Sequence, residues 1–340
     1  MELAVFGAAT FAFALRARAR VSAAPPPKGA PAPALHLGKD FAEKRRRVVE
    51  GGVDNLHLIF DFDRTMTTYE GPRGGRGATC HHIVEARRPR SVRERAEALN
   101  GVFYPVEISA RLSREFKLPV MEVWYALVND LLVESGMTRA DLEEDVREAN
   151  VALRAGVAGA LAWAARHDVP VTIFSAGIGD VLAECLRQHV GPLHPRVRVV
   201  SNEMRFDARG VLVGFAPRVI TPFTKNARDA MGDAPFFGEL CARRNAVLLG
   251  DGPGDATMAD GLGCETVLRV GFLNDAGAAL RQLAEFTAIF DAVITHDGPA
   301  DPLLSTLLRD VEAASARAPA PAPVPAVGGA AAVAIAADAR

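Results

Sequence analysis

Several things are scarce in this chain of 340 residues. It has four cysteines, Cys80, Cys185, Cys241 and Cys264, and no two of them form a CxxC pair. That spacing suits neither a disulfide framework nor a zinc site, and it fits a reducing compartment. The formal net charge is only −2. No basic excess argues for a nucleic-acid polymer or an anionic membrane as partner. The apolar stretch from Leu3 to Leu15 falls short of the roughly 20 residues a membrane span needs, so no stable membrane partner is expected. No internal repeat is evident. The pair His81-His82 lacks partners at metal-ligand spacing and reads as a polar loop. What is present is an ordinary hydrophobic share, 49%, enough for one large domain or a core with a smaller cap.

The two ends differ from the middle. Residues 1–50 carry the apolar stretch, then Arg16-Ala-Arg-Ala-Arg20 and a Pro/Ala linker. They read as an N-terminal extension. A secretory signal usually has its positive charge before the apolar part, whereas Glu2 stands there. Alanine and arginine with few acids also suit an organelle transit segment, so a cytoplasmic location has that alternative. Residues 316–340 are mostly Ala, Pro and Val and read as a disordered tail.

Between the ends, short apolar runs rich in β-branched residues recur: Leu56–Phe60, Val169–Phe174, Val197–Val200, Ala246–Leu249, Thr266–Val270 and Ala292–Thr295. Helical patterns separate many of them. The alternation predicts a parallel sheet covered on both faces. Residues 71–155 break it. A Gly-rich loop, Gly71 to Gly77, leads into helix-compatible segments at Ser91–Asn100, Leu118–Val133 and Thr138–Ala152. This reads as a helical insert, with residues 51–70 and 156–315 as the core. A stripe of Met121, Trp124, Tyr125 and Val128 reads as core packing or as the lining of a pocket. Ser201–Gly214 reads as a β-hairpin.

Ligands of such sheets sit beyond the carboxyl ends of the strands. Three polar clusters fall there: Asp61-Phe-Asp63, Ser175-Ala-Gly177 and Gly250-Asp251-Gly-Pro-Gly-Asp255. Paired carboxylates repel each other and resist burial, so an acidic turn is a poor choice for stability. Phosphoryl transfer gives a reason to keep them. It needs an in-line nucleophile, positive charge on the nonbridging oxygens and a proton donor to the leaving oxygen. Asp61 suits the nucleophile and Asp63 the acid and base. Ser175 and the amides after it suit phosphate oxygens, although Ser175 would also serve as a helix cap. Lys225 would add a fixed charge. Asp61, the Asp63 carbonyl and Asp251 would make an oxygen-rich Mg²⁺ site. Asp255 would orient Lys225 or a metal-bound water.

The same residues carry a resemblance. Asp61-Phe-Asp-Arg-Thr65, Ser175, Lys225 and Gly250-Asp251-x-x-x-Asp255 resemble the four motifs of the haloacid dehalogenase superfamily. Ile173-Phe-Ser-Ala-Gly-Ile-Gly-Asp-Val-Leu182, Val199-Val-Ser-Asn202, Leu248-Leu-Gly-Asp251, Met258-Ala-Asp-Gly261, Gly271-Phe-Leu-Asn-Asp275, Thr79-Cys-His81 and Tyr104-Pro-Val-Glu-Ile108 resemble the cytosolic pyrimidine 5′-nucleotidase type III family. The resemblance spans roughly residues 53–310. It implies an α/β fold: a Rossmann-like parallel sheet core of haloacid dehalogenase type with an inserted helical cap domain. It implies Mg²⁺-dependent hydrolysis of nucleoside 5′-monophosphates, CMP and UMP first and 7-methyl-GMP as the alternative. It assigns Asp61 and Asp63 to catalysis and Ser175, Ala176 and Lys225 to phosphate. Asp61, Asp63 and Asp251 fall to the metal, and Glu107 to the base.

Two positions depart from the family pattern. Val128 stands where a base-contacting serine is expected, and Val123 where a glutamate is expected, with Glu122 one place earlier. The catalytic set is intact, and base recognition is where this chain differs. Phosphotransfer to a nucleoside is a conceivable side reaction, and a monomer is compatible with everything above. The rival readings are a phosphatase for another small ester such as phosphoserine, and a silent nucleotide-binding protein. Intact Asp61, Asp63, Lys225 and Asp251 argue against the silent one.

Overall fold

All five residues of Leu56–Phe60 are buried, as expected of a strand covered on both faces. The computed structural model describes residues 32–317, apart from positions 110 and 233. The chain enters through β1 (Leu35–Leu37) and α1 (Phe41–Gly51) before Leu56–Phe60, which is β2. Four helices follow: α2 (Cys80–Glu85), α3 (Arg90–Glu107), α4 (Arg114–Glu134) and α5 (Arg139–Ala149). The chain returns through α6 (Val157–Arg166) to β3 (Val171–Ile178), α7 (Gly179–Val190) and β4 (Val197–Asn202). A hairpin comes next, β5 (Met204–Phe206) with β6 (Leu212–Phe215), then α8 (Ala227–Met231) and α9 (Phe237–Cys241). The last elements are β7 (Asn245–Gly250), β8 (Thr266–Leu273), α10 (Ala276–Ile289), β9 (Ala292–Thr295) and α11 (Asp301–Arg317).

Seven strands form one sheet in the order β1-β9-β8-β7-β2-β3-β4. All pairs are parallel except β1 with β9. The pleat sends alternate side chains to opposite faces. Leu56, Leu58 and Phe60 join one apolar cluster, with residues of α1, α6, α7 and α11. Ile59 joins the other, with residues of α8, α9 and α10. After β2 the chain builds outward through β3 and β4, then crosses back to β7 on the other side. That reversal of strand order is a topological switch point, and it opens a crevice beyond the carboxyl end of β2.

The N-terminal reading needs a correction. Residues 35–51 are not an extension: β1 closes the sheet edge against β9, and α1 buries Phe41 and Val48 in the core. A three-residue strand carries too little pattern to register in a sequence. The transit-segment reading of residues 1–31 and the tail from 318 lie outside the described residues. Among the described residues, no helix is long and apolar enough to cross a membrane.

The helical insertion leaves the sheet after β2 and returns before α6, and Thr67 pairs with Leu153 where the two connections meet. Ser113 caps α4, and Thr138 with Asp141 makes a capping box on α5. Residues of α2, α5 and the end of α4 share the main core. Val92, Ala96 and Leu131 make a small separate cluster between α3 and α4.

Candidate active site

Asp61 follows β2 directly, and its backbone N–H donates to the Leu249 carbonyl of β7 at 2.9 Å. The residue is only 5% exposed. Lys225, 4% exposed, lies just before α8 and donates to Asp61 Oδ1 at 2.5 Å and to Asp255 Oδ1 at 2.6 Å. Burial opposes the Lys225 charge, but Asp255 and Asp61 hold its pKa above the usual lysine range. Burial pushes Asp61 up to about 7 against the pull of Lys225. The two directions are compatible because one ammonium serves two carboxylates: its charge is secured twice, while each acid gets a share.

Asp255 is spoken for on both oxygens. Its Oδ2 accepts from the N–H groups of Asp251 and Gly252 at 3.0 and 2.9 Å. Gly250 is required beneath it, since a Cβ there would lie 2.3 Å from the Asp255 Cβ. Asp61, Asp251 and Asp255 place carboxylate oxygens within 4.8 Å of one another. Burial, then Asp61 and Asp255, push the Asp251 pKa well above the carboxylate range. Asp61 Oδ2 is buried without a partner among the described residues. An orphaned anionic oxygen beside a second acid is a donor set for a hard cation. Asp255, already saturated, serves to fix Lys225 and the 251–252 turn.

Asp63 accepts from the Cys80 N–H of α2 at 3.0 and 3.2 Å. Burial raises its pKa, and the Cys80 bonds oppose the rise. Ser175 lies within β3 rather than beyond it, where the pairing with β4 shifts register between Phe174 and Ile178. It is not a helix cap: Ile178 precedes α7, and Ser175 Oγ accepts from the Gly177 N–H at 3.0 Å. The Ala176 carbonyl accepts from Asn202 Nδ2 at 2.8 Å, which ties this loop to β4. Glu107 ends α3, where burial raises its pKa while Arg64 and Lys117 oppose the rise.

The residues of the helical insertion named from the sequence take these places. His81 belongs to α2, not to a loop, and stands edge-on to Tyr125 at 5.6 Å. Burial, with the charges of Glu107, Asp63 and Cys80 nearby, raises the Tyr125 pKa. Phe103 and Trp124 stack nearly parallel at 5.9 Å, and Trp124 Nε1 is buried without a partner among the described residues. Val128 is buried, whereas Glu122 and Val123 are exposed. Arg114 of α4 reaches the core, donating to the Phe223 carbonyl at 3.1 and 2.6 Å.

Arg154 is 1% exposed. Its Nε donates to the Thr65 carbonyl at 2.8 Å and Nη1 to the Gly298 carbonyl at 2.7 Å. Nη2 reaches the carbonyls of Arg64 at 2.6 Å and Thr67 at 3.3 Å, and Asn274 Oδ1 at 3.0 Å. Asp297 pairs with it at 3.0 Å and also accepts from the N–H groups of Tyr69 and Glu70. No spacing rule flags such a residue; its partners come from three distant segments.

The class these features define is an α/β protein whose doubly wound sheet holds an aspartate–lysine–aspartate set at its switch point. The pyrimidine 5′-nucleotidase (UMPH-1) family model matches residues 64–311. The chain belongs to the pyrimidine 5′-nucleotidase (UMPH-1) family, and is an enzyme of the phosphoric monoester hydrolase class. It is 37% identical over 277 residues to the 7-methylguanosine phosphate-specific 5′-nucleotidase A of Xenopus laevis, covering 78% of this chain and 94% of that protein. It is 34% identical to the Homo sapiens 7-methylguanosine phosphate-specific 5′-nucleotidase over 255 residues, 74% of this chain and 83% of that one. The crystal structure of cytosolic 5′-nucleotidase IIIB bound to cytidine superimposes with a TM-score of 0.75 at 26% identity, covering 83% and 95% of the two chains.

Proposed function

We propose that this 5′-nucleotidase hydrolyses nucleoside monophosphates through an aspartyl-phosphate on Asp61, with Mg²⁺ as cofactor. The observation that carries the reading is the division of the acids. Lys225 holds Asp61 Oδ1 and Asp255, which leaves Asp61 Oδ2 and the Asp251 carboxylate for other work.

Asp61 attacks phosphorus as the bond to the 5′ oxygen breaks. Asp63, whose burial favours the protonated form, gives its proton to the departing oxygen. Its carboxylate then takes a proton from water, which attacks the phosphorus and frees Asp61 and phosphate. Lys225 and the Ser175–Ala176 loop bind the nonbridging oxygens. Asp61 Oδ2, the Asp251 carboxylate and the Asp63 carbonyl would hold Mg²⁺, which supplies positive charge to the phosphoryl oxygens.

For the base we favour 7-methyl-GMP, with CMP and UMP also accepted. The methylated guanine is cationic. The aromatic pair Phe103/Trp124 and the Glu107 carboxylate are a setting for a flat cation. The names of the vertebrate relatives support that order. In this reading the helical insertion acts as the cap. The cytosolic relative supports the cytoplasm as the place of action.

Purified protein with Mg²⁺ releases phosphate from 7-methyl-GMP, CMP and UMP. Asp61→Asn lowers kcat by about 10⁴-fold or more, and EDTA abolishes turnover until Mg²⁺ is restored. Undiminished hydrolysis by Asp61→Asn ends the proposal.

A further inference from the structure

Arg64 has a backbone held from three sides and a side chain that is not. Its φ is 64°, in the left-handed region that an arginine rarely adopts. Its N–H donates to Thr67 Oγ1 at 2.8 Å. Its carbonyl accepts from Arg154 Nη2 at 2.6 Å and Asn274 Nδ2 at 3.0 Å. Strain of this kind persists only where the surroundings over-determine it, and it is concentrated at functional sites. The guanidinium rests 5.6 Å from the centre of the Tyr69 ring. Its Nε is buried with no hydrogen-bond partner among the described residues. A buried, unpartnered N–H next to a catalytic aspartate calls for an explanation.

Position supplies one. Arg64 follows Asp63 directly, and its charge acts on Asp63 and Asp251 in the core and on Glu107 and His82 of the insertion. Lys225 is the cation in contact with Asp61. A nucleotide with its phosphorus at Asp61 and its base toward Glu107 passes Asp63 at the leaving oxygen. The sugar comes next, beside Arg64. We propose that Arg64 is a substrate-binding residue whose guanidinium donates hydrogen bonds to the ribose hydroxyl oxygens of the nucleotide. This rests on the nucleotidase reading above. Arg154 and Asn274 aim Arg64 by gripping its carbonyl.

The test compares CMP with 2′,3′-dideoxy-CMP, and both with p-nitrophenyl phosphate, on wild type, R64M and R64K. The expected result is a KM for the dideoxy nucleotide about tenfold above that for CMP in wild type. R64M raises the CMP KM by a similar factor, keeps kcat within about threefold, and brings the two nucleotides together. p-Nitrophenyl phosphate, which has no sugar, reads out what the lost Arg64 charge does at Asp63 and Asp251, and its kcat/KM falls by less than that of CMP. R64K, with one charged donor group, falls between. If R64M melts well below wild type, R64K carries the same comparison. The inference is overturned if R64M keeps the wild-type ratio, if the wild-type ratio is near one, or if p-nitrophenyl phosphate suffers equally. A wild type that hydrolyses p-nitrophenyl phosphate but no nucleotide overturns the nucleotidase reading and this inference with it. Nucleotide turnover with the ratio unaltered in R64M overturns this inference alone.

Discussion

Replacing Arg154 with Met removes one buried cation and leaves its surroundings in place. Methionine fills much of the stem volume and keeps the contact with Phe272, over which the guanidinium now sits at 4.1 Å. What disappears are the Arg154 hydrogen bonds to the carbonyls of Thr65, Gly298, Arg64 and Thr67, and the ion-pair partner of Asp297. Breaking a buried pair costs about 3–5 kcal/mol, because the remaining charge and carbonyls lose their compensation without regaining water. Against a whole-domain stability of roughly 5–15 kcal/mol that is a large share. It corresponds to a fall in Tm of roughly 10 °C for a chain of this size. Urea titration of wild type, R154M, D297N and the double variant gives the measurement. R154M shows the full loss and D297N a smaller one. The double variant loses less than the sum, by about 0.5–3 kcal/mol of coupling. An R154M unfolding free energy within about 1 kcal/mol of wild type would refute the reasoning. It would mean that those carbonyls find water or other donors, and that the turn after Asp63 does not depend on this residue.

Three shorter predictions follow from the same geometry. Lys225→Met in EDTA leaves Asp61 and Asp255 buried without their shared ammonium and destabilises by about 3–5 kcal/mol. Adding Asp255→Asn recovers part of the loss in urea melts, and no recovery would show that the two acids are not in repulsion. Burial, with help from Arg243, lowers the His57 pKa to about 3, so the folded state resists a proton that the unfolded chain takes up near 6.5. Its contribution is therefore complete above pH 6.5 and declines on acidification toward pH 3, by up to about 1.4 kcal/mol per pH unit. Urea midpoints at pH 7.5 and 5.0 fall more steeply in wild type than in His57→Gln; equal slopes count against it. Arg114→Ala removes an exposed link from α4 to the loop carrying Lys225. It raises the nucleotide KM about fivefold, roughly 1 kcal/mol, with little change in Tm, and an unchanged KM would show the link to be idle.

The central cluster of acids was readable because it is written locally. Leu56–Phe60 and the acids that follow it announce a strand and its acidic end within eight residues. Lys225 and Asp255 are harder, and their meaning came from matching the order of motifs, not from position alone. Arg154 was out of reach: it is one of 39 basic residues, and its acceptors come from positions 64–67, 274 and 297–298. Arg64 was hidden for another reason. Its interest lies in a backbone angle and an idle N–H, and neither leaves a mark in the order of amino acids. Ser175 was expected at a strand end and stands inside β3, since the shift of register between Phe174 and Ile178 depends on β4 as well. The β1–α1 entry was missed because a strand of three residues owes its existence to the neighbour that receives it.

Thr67 and Leu153 face each other across a single bridge, so the polypeptide departs from the sheet and re-enters it through one doorway. The stretch threaded between those two residues is not loose cargo, since its α2, its α5 and the end of its α4 fill the same core as the strands. The doorway is also a hinge of dependence: Cys80, just inside it, holds the Asp63 carboxylate, so the traffic through it is bound to the acids at the strand end.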